Sequence, residues 1–168
     1  MTVRIAQISD CHLPGDPEHP YRGVNPYRNL VAFLEKVRSL QPNQIFATGD
    51  FIEDGSVESY RLIQGLFDPL GIPVLALPGN HDNPDRLADV YPGSPTGSVQ
   101  VTQHGIWQFF RVNSFIHNNP CGNFGEKKLS ELESVLGQEP VRPSLVTVHH
   151  KPVMVGSPWL DKYRMLEP

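Results

Sequence analysis

Short apolar runs alternate with amphipathic stretches along the first half of the chain. Val3 to Ile8 (VRIAQI) is apolar and rich in β-branched residues, which predicts a strand. A loop rich in Pro, Gly and His follows from Asp10 to Asn25. Asn25 then Pro26 is a cap followed by a proline at the first helical position, and Leu30, Leu34, Val37 and Leu40 recur at helical spacing until Pro42. Ile45 to Thr48 is a second strand. Ser56 caps a second helix whose inner face carries Tyr60, Ile63, Leu66 and Phe67, and Pro73 to Leu77 (PVLAL) is a third strand. Strand, helix, strand, helix, strand predicts parallel pairing.

Beyond residue 82 the pattern loosens. Asn83-Pro84 opens a short helix to Val90, and Tyr91 to Gly97 is turn-rich. Val99 to Thr102 and Trp107 to Asn113 alternate across Gln103-His104-Gly105, as in a hairpin. Gly125 to Leu136 places Leu129, Leu132 and Leu136 on one helical face, and Leu145 to Val148 reads as a last buried strand.

Four polar segments interrupt this pattern: Asp10-Cys11-His12, Gly49-Asp50, Gly79-Asn80-His81-Asp82 and His149-His150. Each stands where a strand-like run ends, so one sheet edge can gather ligands from distant parts of the chain. In an extended Asp10-x-His12 the alternate side chains share a side and can chelate one ion, while Cys11 packs on the other side. Asp50 follows a glycine that allows close approach, and its carboxylate can bridge two cations roughly 3.5 to 4 Å apart. Asn80 offers a neutral oxygen, His81 a proton donor, and Asp82 a carboxylate able to fix the His81 tautomer. Adjacent strand residues face opposite sides, so one ligand is expected from His149 and His150. Taken singly, D-x-H, G-D and H-H are also ordinary loop, turn and strand-edge residues; the four-residue G-N-H-D segment is the specific one. His19, His104 and His117 have no such context and read as surface residues.

Composition narrows the class. A chain of 168 residues with 39% hydrophobic content suits one domain, 1–168. The formal charge of −4 gives no basic footprint, so a nucleic-acid partner is not expected. Cys11 and Cys121 are far apart, and no secretory pattern precedes Ser9, so a reducing cytoplasm is the expected compartment. No apolar run is long enough to span a bilayer.

The order D-x-H, G-D, G-N-H-D, H-H resembles the calcineurin-like metallophosphoesterase superfamily over the whole chain. His149 to Asp161 (HHKPVMVGSPWLD) and Gly23 to Asn25 (GVN) resemble its bacterial class III cyclic-nucleotide phosphodiesterase branch. The resemblance implies an α/β fold, the four-layer sandwich of metallophosphoesterases. It implies two divalent ions, one held by Asp10 and His12, the other by Asn80 and His149, with Asp50 bridging and a metal-bound hydroxide as nucleophile. Mn, Fe, Zn or Co suit these oxygen and imidazole ligands. His81 would bind the phosphate and assist the leaving alkoxide, oriented by Asp82; His150 would lie behind the ligands, and Lys151 reads as a solvated lysine. The implied substrate is a small phosphodiester such as 3′,5′-cyclic AMP.

Members of the superfamily reach a late Gly-His-x-His segment, which this sequence lacks. The fold is therefore expected to be incomplete at the C-terminus, with each metal short of one histidine and a sheet edge open to a second copy. The other reading is a catalytically weak metal- or phosphate-binding remnant that acts as a binding module.

Overall fold

The computed structural model describes residues 3–137 and 142–166. β1 (Ile5–Ile8), β2 (Gln44–Thr48) and β3 (Val74–Leu77) form a parallel sheet in the order β1-β2-β3. The two crossovers are α1 (Pro26–Leu40) and α2 (Val57–Phe67). Local chemistry sets both helix starts. The Asn25 side chain accepts from the Arg28 N–H with Pro26 just behind it, and the Ser56 hydroxyl accepts from the Ser59 N–H. Leu30, Leu34 and Val37 of α1 join Tyr60, Ile63 and Phe67 of α2 against Ile45 and Ala47 of β2 in one buried cluster. Leu40, expected on that face, is 52% exposed because it lies at the helix end, past the sheet.

A second sheet holds β4 (Val99–His104), β5 (Trp107–Val112) and β6 (Ser144–Val148), with β4 antiparallel and β6 parallel to β5. The expected hairpin is present, but its turn lies at Gly105-Ile106, because His104 pairs with Trp107. Gly105 supplies the positive φ of 61° that the turn requires. The two sheets meet face to face: the Phe46 and Phe109 rings touch edge-on at 5.0 Å, and Arg111 reaches across to the Ala76 carbonyl at 3.1 Å. α3 (Pro84–Val90) packs beside α2, and α4 (Gly125–Leu136) packs on β4. The layers are thus helix, sheet, sheet, helix.

Two expectations need correction. The candidate site draws on two sheets instead of the edge of one, since His149 follows β6 while the other segments follow β1, β2 and β3. β6 is not a buried strand; Leu145 and Val146 are 40% and 43% exposed, and among the described residues this strand pairs with β5 alone. α4 carries its leucines on one face as expected, and no residue of the helix is buried.

Candidate metal centre

The chain segments leaving β1 and β2 run on side by side. Asp10, His12 and Leu13 donate their N–H groups to the carbonyls of Gly49, Asp50 and Phe51, each at 3.0 Å. Leu13 then bridges to Ile52, and both side chains are wholly buried. Asp10 to His12 is not extended, as the sequence suggested: Asp10, His12 and Asp50 have φ of 56°, 44° and 52°. Such left-handed conformations are uncommon outside glycine and cluster at functional sites. Here they bring His12 Nε2 to 4.0 Å from Asp10 Oδ1 and 3.7 Å from Asp50 Oδ2.

β6 delivers His149 to the same carboxylate oxygen. Its Nδ1 lies 2.9 Å from the Thr48 carbonyl, which can only accept, so Nδ1 carries the hydrogen and Nε2 is turned inward, 3.4 Å from Asp50 Oδ2. Burial works to lower the His149 pKa, but the adjoining Asp50 carboxylate prevails and pushes it up to about 9. Burial would raise the Asp50 carboxyl, yet the His149 hydrogen bond and charge hold it below the usual range. The buried carboxylate therefore draws positive charge to this spot, which is the electrostatic condition for binding a cation.

Both motif glycines have steric reasons. A Cβ on Gly49, whose φ is 96°, would stand 2.3 Å from His149 Nδ1, and one on Gly79 would stand 2.1 Å from Asp50 Oδ1. Nothing larger than hydrogen fits at either place.

Gly79 also starts the turn that sets Asn80, His81 and Asp82. Asn80 is half-buried and lines the same pocket, about 570 Å³, as Asp10, His12, Asp50, His81 and His149. The His81 N–H donates to Asp50 Oδ1 at 3.0 Å, so Oδ2 is the oxygen left facing the two histidines. Asp82 does not orient His81. It is buried and accepts from the N–H groups of Gly79 (2.8 Å) and Phe51 (3.2 Å) and from the Tyr60 hydroxyl (3.2 Å). Burial pushes its carboxyl up to about 7. Asp82 thus ties the turn after β3 to the loop after β2.

The carboxylate beside His81 is Glu53, which the sequence reading missed. Its Oε2 lies 2.8 Å from His12 Nδ1 and 3.2 Å from His81 Nδ1. His12 Nδ1 is hydrogen-bonded to that oxygen, while the hydrogen bond of His81 Nδ1 goes to the Glu53 backbone carbonyl at 3.4 Å, so one residue engages both imidazoles by Nδ1 and leaves Nε2 of each free to act. The only sequence signal was an acid three residues after Asp50, before the Ser56 cap. Tyr21 was also missed; its ring stacks on His12 at 4.8 Å and 18°.

His149 and His150 do part, as adjacent strand-end residues should. The His150 ring is buried against Gly122, with Nδ1 2.7 Å from the Ser114 hydroxyl. Burial, then the charge of His149, lowers its pKa to about 4. Lys151 is not solvated but paired with Asp161, which also accepts from the Val155 and Gly156 N–H groups. His19 and His117 are exposed and His104 half-buried, all outside the pocket.

Two overlapping groups could therefore hold a metal: Asp10, His12 and Asp50; and His12, Glu53 and His81. The first fits the expected ion better, because the Nδ1 atoms of the second group are already engaged with Glu53. The converging donors are carboxylate oxygen and imidazole nitrogen, without thiolate, a set that fits first-row divalent ions.

Residues 3–167 match the calcineurin-like phosphoesterase family, and the chain belongs to it. Metallophosphoesterases of this family work with a dinuclear metal centre. The chain is 32% identical over 161 residues to a protein from a Synechococcus species named a probable cyclic nucleotide phosphodiesterase, with 96% of this chain and 63% of that one covered. It is 32% identical over 166 residues to the Escherichia coli K12 protein named 3′,5′-cyclic adenosine monophosphate phosphodiesterase CpdA, covering 97% of this chain and 60% of that one. The chain thus spans about three-fifths of the length of these relatives. A dimetal phosphatase from Danio rerio shares the fold, with a TM-score of 0.71 at 14% identity over 90% of this chain and 70% of that one. Among the described residues, no helix is long and apolar enough to cross a membrane.

Proposed function

We propose that the chain carries the greater part of a metal-dependent phosphodiesterase that hydrolyses a small phosphodiester such as 3′,5′-cyclic AMP. The observation that supports this most directly is the convergence of His12 Nε2 and His149 Nε2 on one oxygen of Asp50, at 3.7 and 3.4 Å. In this reading Asp10 and His12 hold one divalent ion, Asn80 and His149 hold the other, and Asp50 lies between them. Bound there, such a pair supplies an activated water and neutralises the phosphate charge. The remaining work falls to the chain. The Glu53 carboxylate holds His12 by Nδ1, so His12 offers Nε2 as a ligand, and the Glu53 carbonyl and carboxylate together engage His81 Nδ1, so its Nε2 is free to serve the leaving oxygen. To give the departing alkoxide a proton from Nε2 while its Nδ1–H stays on Glu53, His81 acts in the doubly protonated form and is left as the neutral imidazole. Asp82 keeps the two loops in register through its three hydrogen bonds.

The names of the relatives support the cyclic-nucleotide substrate class, and the donor chemistry supports Mn, Fe, Zn or Co. The test is hydrolysis of 3′,5′-cyclic AMP and of bis(p-nitrophenyl) phosphate with each added metal, beside metal analysis of the purified chain. Metal-dependent turnover that Asp50→Asn removes is expected. Two bound ions without turnover of any diester would favour the metal-binding module.

A further inference from the structure

The pocket has two chemically different walls. The inner one carries the oxygen and imidazole donors; the outer one is built from Tyr21, Arg22, Trp159 and Tyr163.

Arg22 stands at the tip of a tight turn. Tyr21 and Val24 exchange both backbone hydrogen bonds, at 2.8 and 3.1 Å, and Arg22 and Gly23 have φ of 49° and 84°. Two successive positive φ values mark the type I′ turn, in which Asn, Asp or Gly is the ordinary first residue. An arginine there is held in strained backbone, and such positions cluster at ligand clamps. Its side chain crosses the Tyr21 ring, with Cζ 5.1 Å from the centroid, and reaches 5.8 Å from the Trp159 centroid. Among the described residues no carboxylate lies within ion-pair reach of this guanidinium.

Trp159 is placed with comparable care. Asp161 gathers the Lys151 ammonium and the Val155 and Gly156 N–H groups, which folds residues 151–161 into a fixed loop. Tyr163 then backs the indole edge-on at 5.5 Å and 67°. The indole is nonetheless 53% exposed. A run of flat groups, His12, Tyr21, Arg22 and Trp159, therefore leads from a candidate metal ligand to the pocket rim.

The spacing is informative. A separation of 5.8 Å is near the outer limit of a cation–π contact, about 6 Å. It falls only about 1 Å short of the roughly 7 Å that a ring needs between two faces, at about 3.5 Å on each side. A planar ring can enter with a slight opening and stack on indole and guanidinium at once; an aliphatic group gains neither face.

We propose that Arg22 and Trp159 form a stacking clamp for the heteroaromatic base of a nucleotide diester, so that the site selects such substrates over aliphatic diesters. This rests on the phosphodiesterase reading and supplies its specificity determinant. Binding and turnover test it separately. Trp107 and Trp159 are the two tryptophans, so Trp107→Phe leaves Trp159 as the reporter. With Mn present, 5′-AMP should quench its emission saturably, and ribose 5-phosphate at the same concentrations should not. No quenching by 5′-AMP, or equal quenching by both, overturns the clamp whether or not the chain is a phosphodiesterase. Trp159→Ala should lower the ratio of kcat/KM for 3′,5′-cyclic AMP to that for glycerophosphoethanolamine by about tenfold to a hundredfold, mostly through KM. Trp159→Phe, which keeps a ring, should recover much of that ratio. Equal losses on both diesters overturn the clamp and leave the phosphodiesterase standing; an unsubstituted protein that cleaves neither overturns the phosphodiesterase and leaves the quenching to judge the clamp.

Discussion

Gly79→Ala would place a single methyl group at the centre of the site. Its carbon would stand 2.1 Å from Asp50 Oδ1 and 2.4 Å from the Asp50 backbone nitrogen, whereas ordinary contact begins at 3.4 Å. Asp50 must therefore retreat by more than an ångström, and a backbone nitrogen cannot swing aside as a side-chain tip does. Retreat is resisted on several sides. Asp50 is already in the left-handed region, its carbonyl accepts from His12 N–H at 3.0 Å, and its Oδ1 accepts from His81 N–H. Overpacking of this kind costs about 1–3 kcal/mol. A misplacement of about 1 Å at a reacting centre can cost 10²-fold in rate. The expected outcome is a urea midpoint lowered accordingly and Mn-dependent hydrolysis of bis(p-nitrophenyl) phosphate reduced about a hundredfold. Gly65→Ala is the control: that glycine lies in α2 with nothing within 4 Å of an added Cβ, so alanine should stabilise by about 0.8–1 kcal/mol with hydrolysis intact. If Gly79→Ala keeps the wild-type midpoint and turnover, the close approach of Asp50 to Gly79 is refuted.

Other perturbations separate the roles of neighbouring groups. Glu53→Gln keeps the shape but removes the charge that His12 and His81 share, so metal affinity or turnover should fall about 10–100-fold; isothermal titration with Mn and steady-state rates would show it, and unchanged values would leave Glu53 without a role. Asp50→Asn should lose two-metal binding more severely than Asp10→Asn, because Asp50 is buried between the two histidines while the Asp10 side chain is 57% exposed; metal analysis giving equal retention would reject the bridge. The Asp161 carboxyl is held below its ordinary 3.8, chiefly by Lys151 and then by the Val155 N–H. Its stabilisation of the 151–161 loop is thus fully present above that ordinary value and lost as pH falls through the depressed one. Trp159 emission, read in Trp107→Phe, should change below about pH 4, and Asp161→Asn should abolish that transition; a transition unaltered by the substitution would assign it to other carboxyls.

The parts of this structure that were legible in the sequence are those fixed by local chemistry. Asn25-Pro26, Ser56 and Asn83-Pro84 start helices because the cap and the proline act within one turn, and each helix begins there. The four polar segments were legible because each follows a strand, and each sends at least one side chain into one pocket. Pairing between distant segments was less so. Periodicity marks β5 and β6 as strands but does not say that β6 joins a second sheet and crosses back to Asp50. Burial of β6 was over-read for a related reason: a Val-rich run shows that a face is apolar, not that this stretch of chain covers it. Glu53 escaped notice because its role comes from a turn that brings it under two histidines 41 and 28 residues away in sequence.

The backbone of the site explains why its loops can be so irregular and yet fixed. Residues in the left-handed region cost of order 1–3 kcal/mol each and persist only where the surroundings over-determine them. Asp10, His12 and Asp50 are three such residues, and the surroundings in question are plain. Three interloop hydrogen bonds extend the β1–β2 pairing past the sheet, and Leu13 and Ile52, both with no exposure, lock its far end into the core. On the other side Asp82 ties Phe51 to Gly79, so the loops after β2 and β3 cannot separate. The candidate ligand positions are therefore held by buried residues that do not line the pocket. A cavity at Leu13 would release the strained turns, and the candidate metal site would lose its geometry before the sheet lost its strands.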